Sequence, residues 1–193
     1  MWGSRCRVGL INPTIVELPL AEFFHIVPEG VSLAITSLSI KLSRQATDTG
    51  PFAKIDQAVG LLGQREVNCI IAPSAPITEL IGADGDKQFI ERCRDQTGIP
   101  ATTSNMAVLD ALEALGVGRV AIATPFEDDH HEQPQAFLKR NGVEVAAAAP
   151  LRSGVVPYRE LSLSAAYLHA KETFFRDPTA EAIYSTAWSS PCP

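Results

Sequence analysis

The chain has 193 residues, of which 46% are apolar and 20% charged, and it carries a formal net charge of −6 at pH 7. This composition predicts one folded domain or two small lobes, and it excludes general disorder and, through the acid excess, a nucleic-acid-binding surface. No apolar run is long enough for a membrane span or a signal peptide, so we expect a cytoplasmic protein with neither nucleic acid nor membrane as a partner.

Short β-branched runs alternate with longer helical patterns along the chain. In chain order, the predicted elements are strand Arg7–Ile11, strand Val31–Thr36, helix Pro51–Gly63, strand Asn68–Ala72, helix Asp84–Gln96, a helix from Ser104 to Gly116, strand Arg119–Ala123, helix Glu127–Arg140, strand Val143–Ala149, helix Tyr158–Phe175 and strand Ala182–Thr186. Strands separated by helices of this length predict βαβ units and parallel sheets.

Two pairs of similar segments recur at nearly the same spacing. Arg7–Pro13 resembles Arg119–Pro125 at an offset of 112 residues, and Cys69–Ser74 resembles Ala182–Ala187 at an offset of 113. Two matches at one spacing indicate an internal duplication, whereas chance similarity between buried strands is the alternative.

The duplication predicts an α/β fold of two pseudo-symmetric lobes, each with a short parallel sheet flanked by helices. Residues 1–117 form the first predicted lobe and residues 118–193 the second. The second copy has no counterpart of the helices that follow Ser74 in the first, so we expect the second lobe to be C-terminally incomplete. A truncated product that folds poorly alone is a further alternative.

Segments rich in proline and small hydroxyl residues follow four of the predicted strands. These segments are Asn12-Pro13-Thr14, Pro73-Ser74-Ala75, Thr124-Pro125-Phe126 and Thr186-Ala187-Trp188. Ligands of parallel α/β sheets bind beyond the carboxyl ends of the strands, and hydroxyl and backbone N–H groups suit a carboxylate or enolate oxygen. The alternative is ordinary loop composition, because Pro and Ser are common in loops.

Four segments carry a family resemblance: Gly9–Thr14, Thr97–Ser104, Ala107–Val117 and Arg119–Asp129. They resemble the aspartate/glutamate racemase superfamily and, within it, the branch of arylmalonate decarboxylase and maleate cis-trans isomerase. The resemblance covers essentially the whole chain and is most specific between residues 97 and 129. It implies two α/β lobes with the site between them, no metal or organic cofactor, a small carboxylate or dicarboxylate as substrate, and a homodimer or larger homo-oligomer.

The resemblance also implies cysteine chemistry at strand ends. Racemases and maleate isomerases of this superfamily use two cysteines, whereas arylmalonate decarboxylases keep the second-lobe cysteine, which reprotonates an enediolate. This sequence departs from the pattern at both positions, because Pro73 or Ser74 stands at the first and Ala187 at the second. Cys192 would replace the second thiol only if its loop runs differently from the family's.

Two function classes follow from these residues. The first is a cofactor-independent isomerase or decarboxylase that acts on a small carboxylic or dicarboxylic acid by proton transfer or thiol addition. The alternative is a catalytically degenerate carboxylate-binding protein that has lost both cleft cysteines. Candidate catalytic positions are Ser74, Ala187 and Cys192, and candidate substrate-binding residues are Asn12, Thr14, Pro73, Ala75, Thr102, Thr103, Thr124 and Phe126.

No metal site is predicted. The adjacent pair His130-His131 lies among acidic residues and resembles a metal cluster. Neighbouring residues of a helix point in different directions, however, and acidic residues in a first turn are favoured by the helix dipole. We therefore interpret this pair as a solvated helix start.

Overall fold

The computed structural model describes residues 3–12, 23–38, 51–82, 84–126, 129–151 and 162–186. The strands are β1 (Cys6–Asn12), β2 (Val31–Ser37), β3 (Cys69–Ala72), β4 (Ala101–Thr103), β5 (Arg119–Thr124), β6 (Glu144–Pro150) and β7 (Ala182–Ser185). The helices are α1 (Pro51–Gly63), α2 (Ser74–Ile81), α3 (Gly85–Thr97), α4 (Ser104–Leu115), α5 (Asp129–Arg140) and α6 (Leu163–Arg176). The chain divides into two units, Met1–Val108 and Leu109–Pro193.

The first unit contains a four-stranded sheet with strand order β2-β1-β3-β4, and every pair of neighbours is parallel. Helix α1 lies close against β1, because a Cβ atom at Gly9 would lie 2.9 Å from Leu62 Cδ1 and 3.1 Å from Val67 Cγ2. Glycine at this position therefore permits the close approach of helix and strand.

The core of the first unit lies on the face that α1 and α3 cover. Ile55, Val59 and Leu62 follow the helical period along α1 and are all buried. Phe89 and Cys93 of α3 complete the same cluster and have no exposed surface. The apolar stripe explains why α1 has the bounds that the sequence predicts.

The second unit contains a three-stranded parallel sheet with strand order β6-β5-β7. The central strand β5 is a continuous buried run from Val120 to Ala123, as expected for a parallel strand that is covered on both faces. Two parallel sheets flanked by helices confirm the predicted α/β fold class. The predicted lobe limits, 1–117 and 118–193, stay a prediction.

Two local features differ from the expectations from the sequence. Strand β4 was not predicted, and Ser74 begins helix α2 instead of lying in a loop. Cys6 and Cys69 are partly buried. None of the helices in the described ranges is long and apolar enough to cross a membrane.

Acid is expected to weaken the second unit through Asp177. Hydrogen bonds from the Thr179 hydroxyl and N–H, and then the guanidinium of Arg119, lower the pKa of Asp177. A carboxyl with a lowered pKa stabilises the fold above its unfolded pKa, about 4, and this contribution is lost as the pH falls through the folded pKa. Asp177→Asn should therefore lower the urea midpoint at pH 7 and change it less at pH 3.

The control is Asp110→Asn, which changes an exposed carboxyl on α4. A similar loss from Asp177→Asn at both pH values would contradict the role of the charged carboxylate. Circular dichroism during urea unfolding measures the urea midpoints of the parent and the two variants at both pH values.

Candidate functional site

Two helices begin at the carboxyl edge of the first sheet. Strands β3 and β4 are parallel neighbours, with Ala72 opposite Thr103. Pro73, with extended backbone, leads from β3 into α2, and Ser104 follows β4 directly as the first residue of α4. The register therefore brings the N-termini of α2 and α4 side by side at the edge where parallel sheets bind ligands.

Ser74 and Ser104 join these two helix N-termini by reciprocal hydrogen bonds. The Ser74 N–H donates to Ser104 Oγ at 2.9 Å, and the Asn105 N–H donates to Ser74 Oγ at 2.7 Å. Each oxygen thus caps the neighbouring helix, while Thr103 Oγ1 accepts from the Met106 N–H at 3.4 Å. Because a hydroxyl has one hydrogen and two lone pairs, both serine O–H groups keep a hydrogen to donate.

Asn12 ends β1, the strand beside β3. Only 6% of its surface is exposed, so its side-chain amide lies almost entirely inside the fold. Asn12 thus adds an amide to the polar groups at the carboxyl edge of the first sheet.

Asp86 lies close to this cluster, in the first turn of α3. Its Oδ2 atom accepts from Asn105 Nδ2 at 3.0 Å, whereas its buried Oδ1 atom has no hydrogen-bond partner among the residues that the structure describes. Asn105 thus links Asp86 to the serine pair, because its N–H donates to Ser74 and its amide to Asp86. Neither Asn105 nor Asp86 was expected from the sequence.

The carboxyl edge of the second sheet carries Thr124 and His131. Thr124 ends β5 and is fully buried, and its Oγ1 atom lies 3.1 Å from the Phe126 carbonyl oxygen and 2.8 Å from His131 Nδ1. Burial is the largest of the effects that lower the pKa of His131. His131 lies in the first turn of α5, where the sequence predicts a helix start, and its partly buried ring contacts the end of the central strand.

The other predicted residues take several positions. Thr102 is partly buried and its hydroxyl donates to the Thr103 carbonyl at 3.4 Å. Ala75 is the second residue of α2. Thr14, Ala187 and Cys192 lie outside the described residues.

The described cysteines lie away from both carboxyl edges. Cys6 and Cys69 are the first residues of β1 and β3, and Cys93 lies inside the first core. Burial, and then the neighbouring Cys6 thiol, raises the pKa of Cys69, while burial raises the pKa of Cys93 to about 12. Thiols with raised pKa values are poor nucleophiles.

Within the ranges that the structure describes, no group of three or more His, Cys, Asp or Glu side chains is suitably placed for a metal ion. The polar groups at the two carboxyl edges are hydroxyls, amides, an imidazole and, beside the serine pair, the Asp86 carboxylate. Hydroxyls and amides are suited to binding anionic oxygens, and an imidazole to moving protons.

The sequence model of the arylmalonate decarboxylase family matches residues 8–187. The chain belongs to this family. It is 56% identical over 137 residues to arylmalonate decarboxylase of Bordetella bronchiseptica, a match that covers 70% of this chain and 56% of that protein. The chain thus spans little more than half the length of this curated relative. The resemblance predicted from the sequence is confirmed.

Solved structures of arylmalonate decarboxylase and maleate isomerase have the same fold. Unliganded arylmalonate decarboxylase superposes with a TM-score of 0.76 at 22% identity, covering 93% of this chain and 77% of that chain. A maleate isomerase variant from Pseudomonas putida S16, solved with maleate, superposes with a TM-score of 0.69 at 23% identity. This match covers 96% of this chain and 79% of that chain.

Proposed function

We propose that this protein acts without a cofactor on a small carboxylic or dicarboxylic acid, by proton transfer at the carbon next to a carboxylate. Decarboxylation of an arylmalonate or isomerisation of maleate is the expected class, since relatives carry these names. The reciprocal hydrogen bonds between Ser74 and Ser104 carry the proposal, because they fix two O–H donors where two helix N-termini meet.

Ser74 and Ser104 bind the carboxylate of the substrate and stabilise its negative charge, and they do not transfer protons. A serine hydroxyl is too weakly acidic to act as an acid or base near neutral pH without a partner base. Their O–H groups, together with the positive ends of α2 and α4, instead favour the negative oxygens of a carboxylate or an enediolate. The buried amide of Asn12 supplies a further donor at this edge.

Turnover of defined acids tests the proposal. Phenylmalonate, methylmalonate and maleate are incubated with the protein in deuterated buffer, and proton NMR follows loss of substrate and entry of deuterium. Turnover of at least one acid supports the proposal. Binding without turnover at high protein concentration favours the degenerate carboxylate-binding protein, and neither binding nor turnover overturns the proposed site.

Ser104→Ala should lower kcat/KM about a hundredfold on the acid that is turned over, because it removes one donor to the developing oxyanion. The control is Ser162→Ala, since Ser162 Oγ also caps a helix and accepts from the Ala165 N–H at 3.2 Å. Both changes remove a helix cap, and each should lower the free energy of unfolding by about 1 kcal/mol. Equal activity of the two variants would contradict the oxyanion role of Ser104.

Location and assembly belong to the same proposal. We propose a cytoplasmic location and, on the family resemblance, a homodimer or larger oligomer. Light scattering during size-exclusion chromatography measures the assembly, and a monomer at micromolar concentration would contradict it.

A further inference from the structure

The first turn of α3 packs tightly against the last turn of α2. A Cβ atom at Gly85 would lie 2.9 Å from Ile81 Cγ1 and 3.1 Å from the Ile77 carbonyl oxygen. Glycine at the start of α3 permits this close approach of the two helices. The next residue, Asp86, is therefore held beside α2, the helix that Ser74 begins.

Asp86 is a buried carboxyl group whose hydrogen bonds are incomplete. Only 4% of its surface is exposed, and Oδ1 has no hydrogen-bond partner in the described part of the chain. None of the ion pairs within the described ranges includes Asp86. A buried polar atom without a partner destabilises a fold, and such departures from good packing are expected at functional sites. The carboxyl group at this position therefore indicates a role in the neighbouring site.

Asn105 connects Asp86 to the serine pair. Its backbone N–H donates to Ser74 Oγ at 2.7 Å, and its side-chain Nδ2 donates to Asp86 Oδ2 at 3.0 Å. Both bonds come from one residue in the first turn of α4, so the bond to Asp86 restrains the direction of the N–H. The first turns of α2, α3 and α4 are thus joined through Ser74, Asp86 and Asn105.

The position of Asn105 determines where the two serine hydroxyls point. Ser74 Oγ accepts the Asn105 N–H, so its own hydrogen points away from that bond. Ser104 is the preceding residue of the same turn, and a movement of the turn displaces its hydroxyl as well. Donors stabilise a developing oxyanion best when they need no reorganisation, and this depends on the residues that support them.

We propose that Asp86 is a positioning residue of the carboxylate site, an inference that rests on the proposed function. Through Asn105 it holds the hydroxyls of Ser74 and Ser104 in the geometry that stabilises an enediolate. Asp86 itself contacts neither the substrate nor the reacting atoms. All four residues belong to the first unit, Met1–Val108, so the arrangement is contained in one unit of the chain.

Two substitutions of Asp86 separate the hydrogen bond from the charge. Asp86→Ala removes the acceptor, whereas Asp86→Asn keeps an oxygen that can accept from Asn105 Nδ2. We expect kcat to fall about tenfold in Asp86→Ala and to stay within about threefold in Asp86→Asn, with KM within about twofold in both. The acid is the one of phenylmalonate, methylmalonate and maleate that the parent turns over.

Asp84→Ala is the matched control for the loss of a carboxylate at the start of α3. Asp84 is exposed and its side chain makes no capping hydrogen bond. Its kcat should stay within about twofold of the parent, because an exposed charge is screened by solvent and salt.

A double-mutant cycle tests whether Asp86 acts through Asn105. Asn105→Ala removes the side-chain amide and keeps the backbone N–H that Ser74 accepts. The variant with both substitutions should lose no more kcat than Asp86→Ala alone, because each substitution removes the same hydrogen bond. A purely structural role of Asp86 predicts instead that the losses of kcat add, or that kcat follows the folded fraction measured by circular dichroism.

Each outcome decides between the two proposals. An active parent with parental kcat in folded Asp86→Ala overturns the role of Asp86 and leaves the proposed function standing. Equal losses in Asp86→Ala and Asp86→Asn, or in Asp86→Ala and Asp84→Ala, likewise overturn it. A parent that turns over none of the acids overturns both proposals. If Asp86→Ala does not fold, Asn105→Ala removes the same bond from the other side, and parental kcat in that variant overturns the role.

Discussion

Phe89→Ala is expected to lower the free energy of unfolding by about 3 to 5 kcal/mol. Phe89 has no exposed surface and is among the largest fully buried side chains of the chain. It packs from α3 into the cluster that contains Ile55 and Val59 of α1, so alanine leaves a cavity between the two helices. Urea unfolding followed by circular dichroism measures the loss.

Leu115→Ala is the matched control, because Leu115 is 74% exposed at the end of α4. A change within about 0.5 kcal/mol is expected there, as for most surface substitutions. A loss below about 1 kcal/mol for Phe89→Ala would mean that α3 does not close this core. That result would also weaken the placement of Asp86, which lies one turn before Phe89 on the same helix.

The elements predicted correctly are those with a strong helical period or a continuous apolar run. Helix α1 has the predicted bounds because its apolar residues repeat at the helical period, and β5 is a continuous apolar run that ends at Thr124-Pro125. Strand β4 has three residues, too few for any period to be visible. Helix α2 was missed because Pro73 and Pro76 suggest a loop, although proline is tolerated in the first turn of a helix.

The site was predictable in place but not in detail. Strand ends rich in hydroxyl residues indicated Asn12, Ser74 and Thr124 as candidates. The bond between Ser74 and Ser104 was not predictable, because it joins residues 30 positions apart and depends on the register of β3 and β4. The position of His131 likewise depends on the hydrogen bond between its ring and Thr124 at the end of β5, which residue spacing does not show.

Asn12→Asp should weaken the binding of malonate by about tenfold to a hundredfold at pH 8. The substitution replaces a nearly buried amide at the carboxyl edge of the first sheet by a carboxylate. Repulsion between two negative charges a few ångströms apart costs about 1 to 3 kcal/mol at the effective dielectric of a partly buried site. Isothermal titration calorimetry with malonate measures the dissociation constant.

Asn68→Asp makes the same chemical change at the opposite edge of the sheet. Asn68 is exposed, and its side-chain oxygen accepts from the Arg7 N–H at 2.7 Å, an interaction that a carboxylate retains. Malonate affinity should therefore stay within about twofold of the parent in this control, since exposed charges far from the ligand are screened. Equal weakening in both variants would indicate a general effect of net charge. Unchanged affinity in Asn12→Asp, with the fold intact, would mean that the carboxylate binds away from β1.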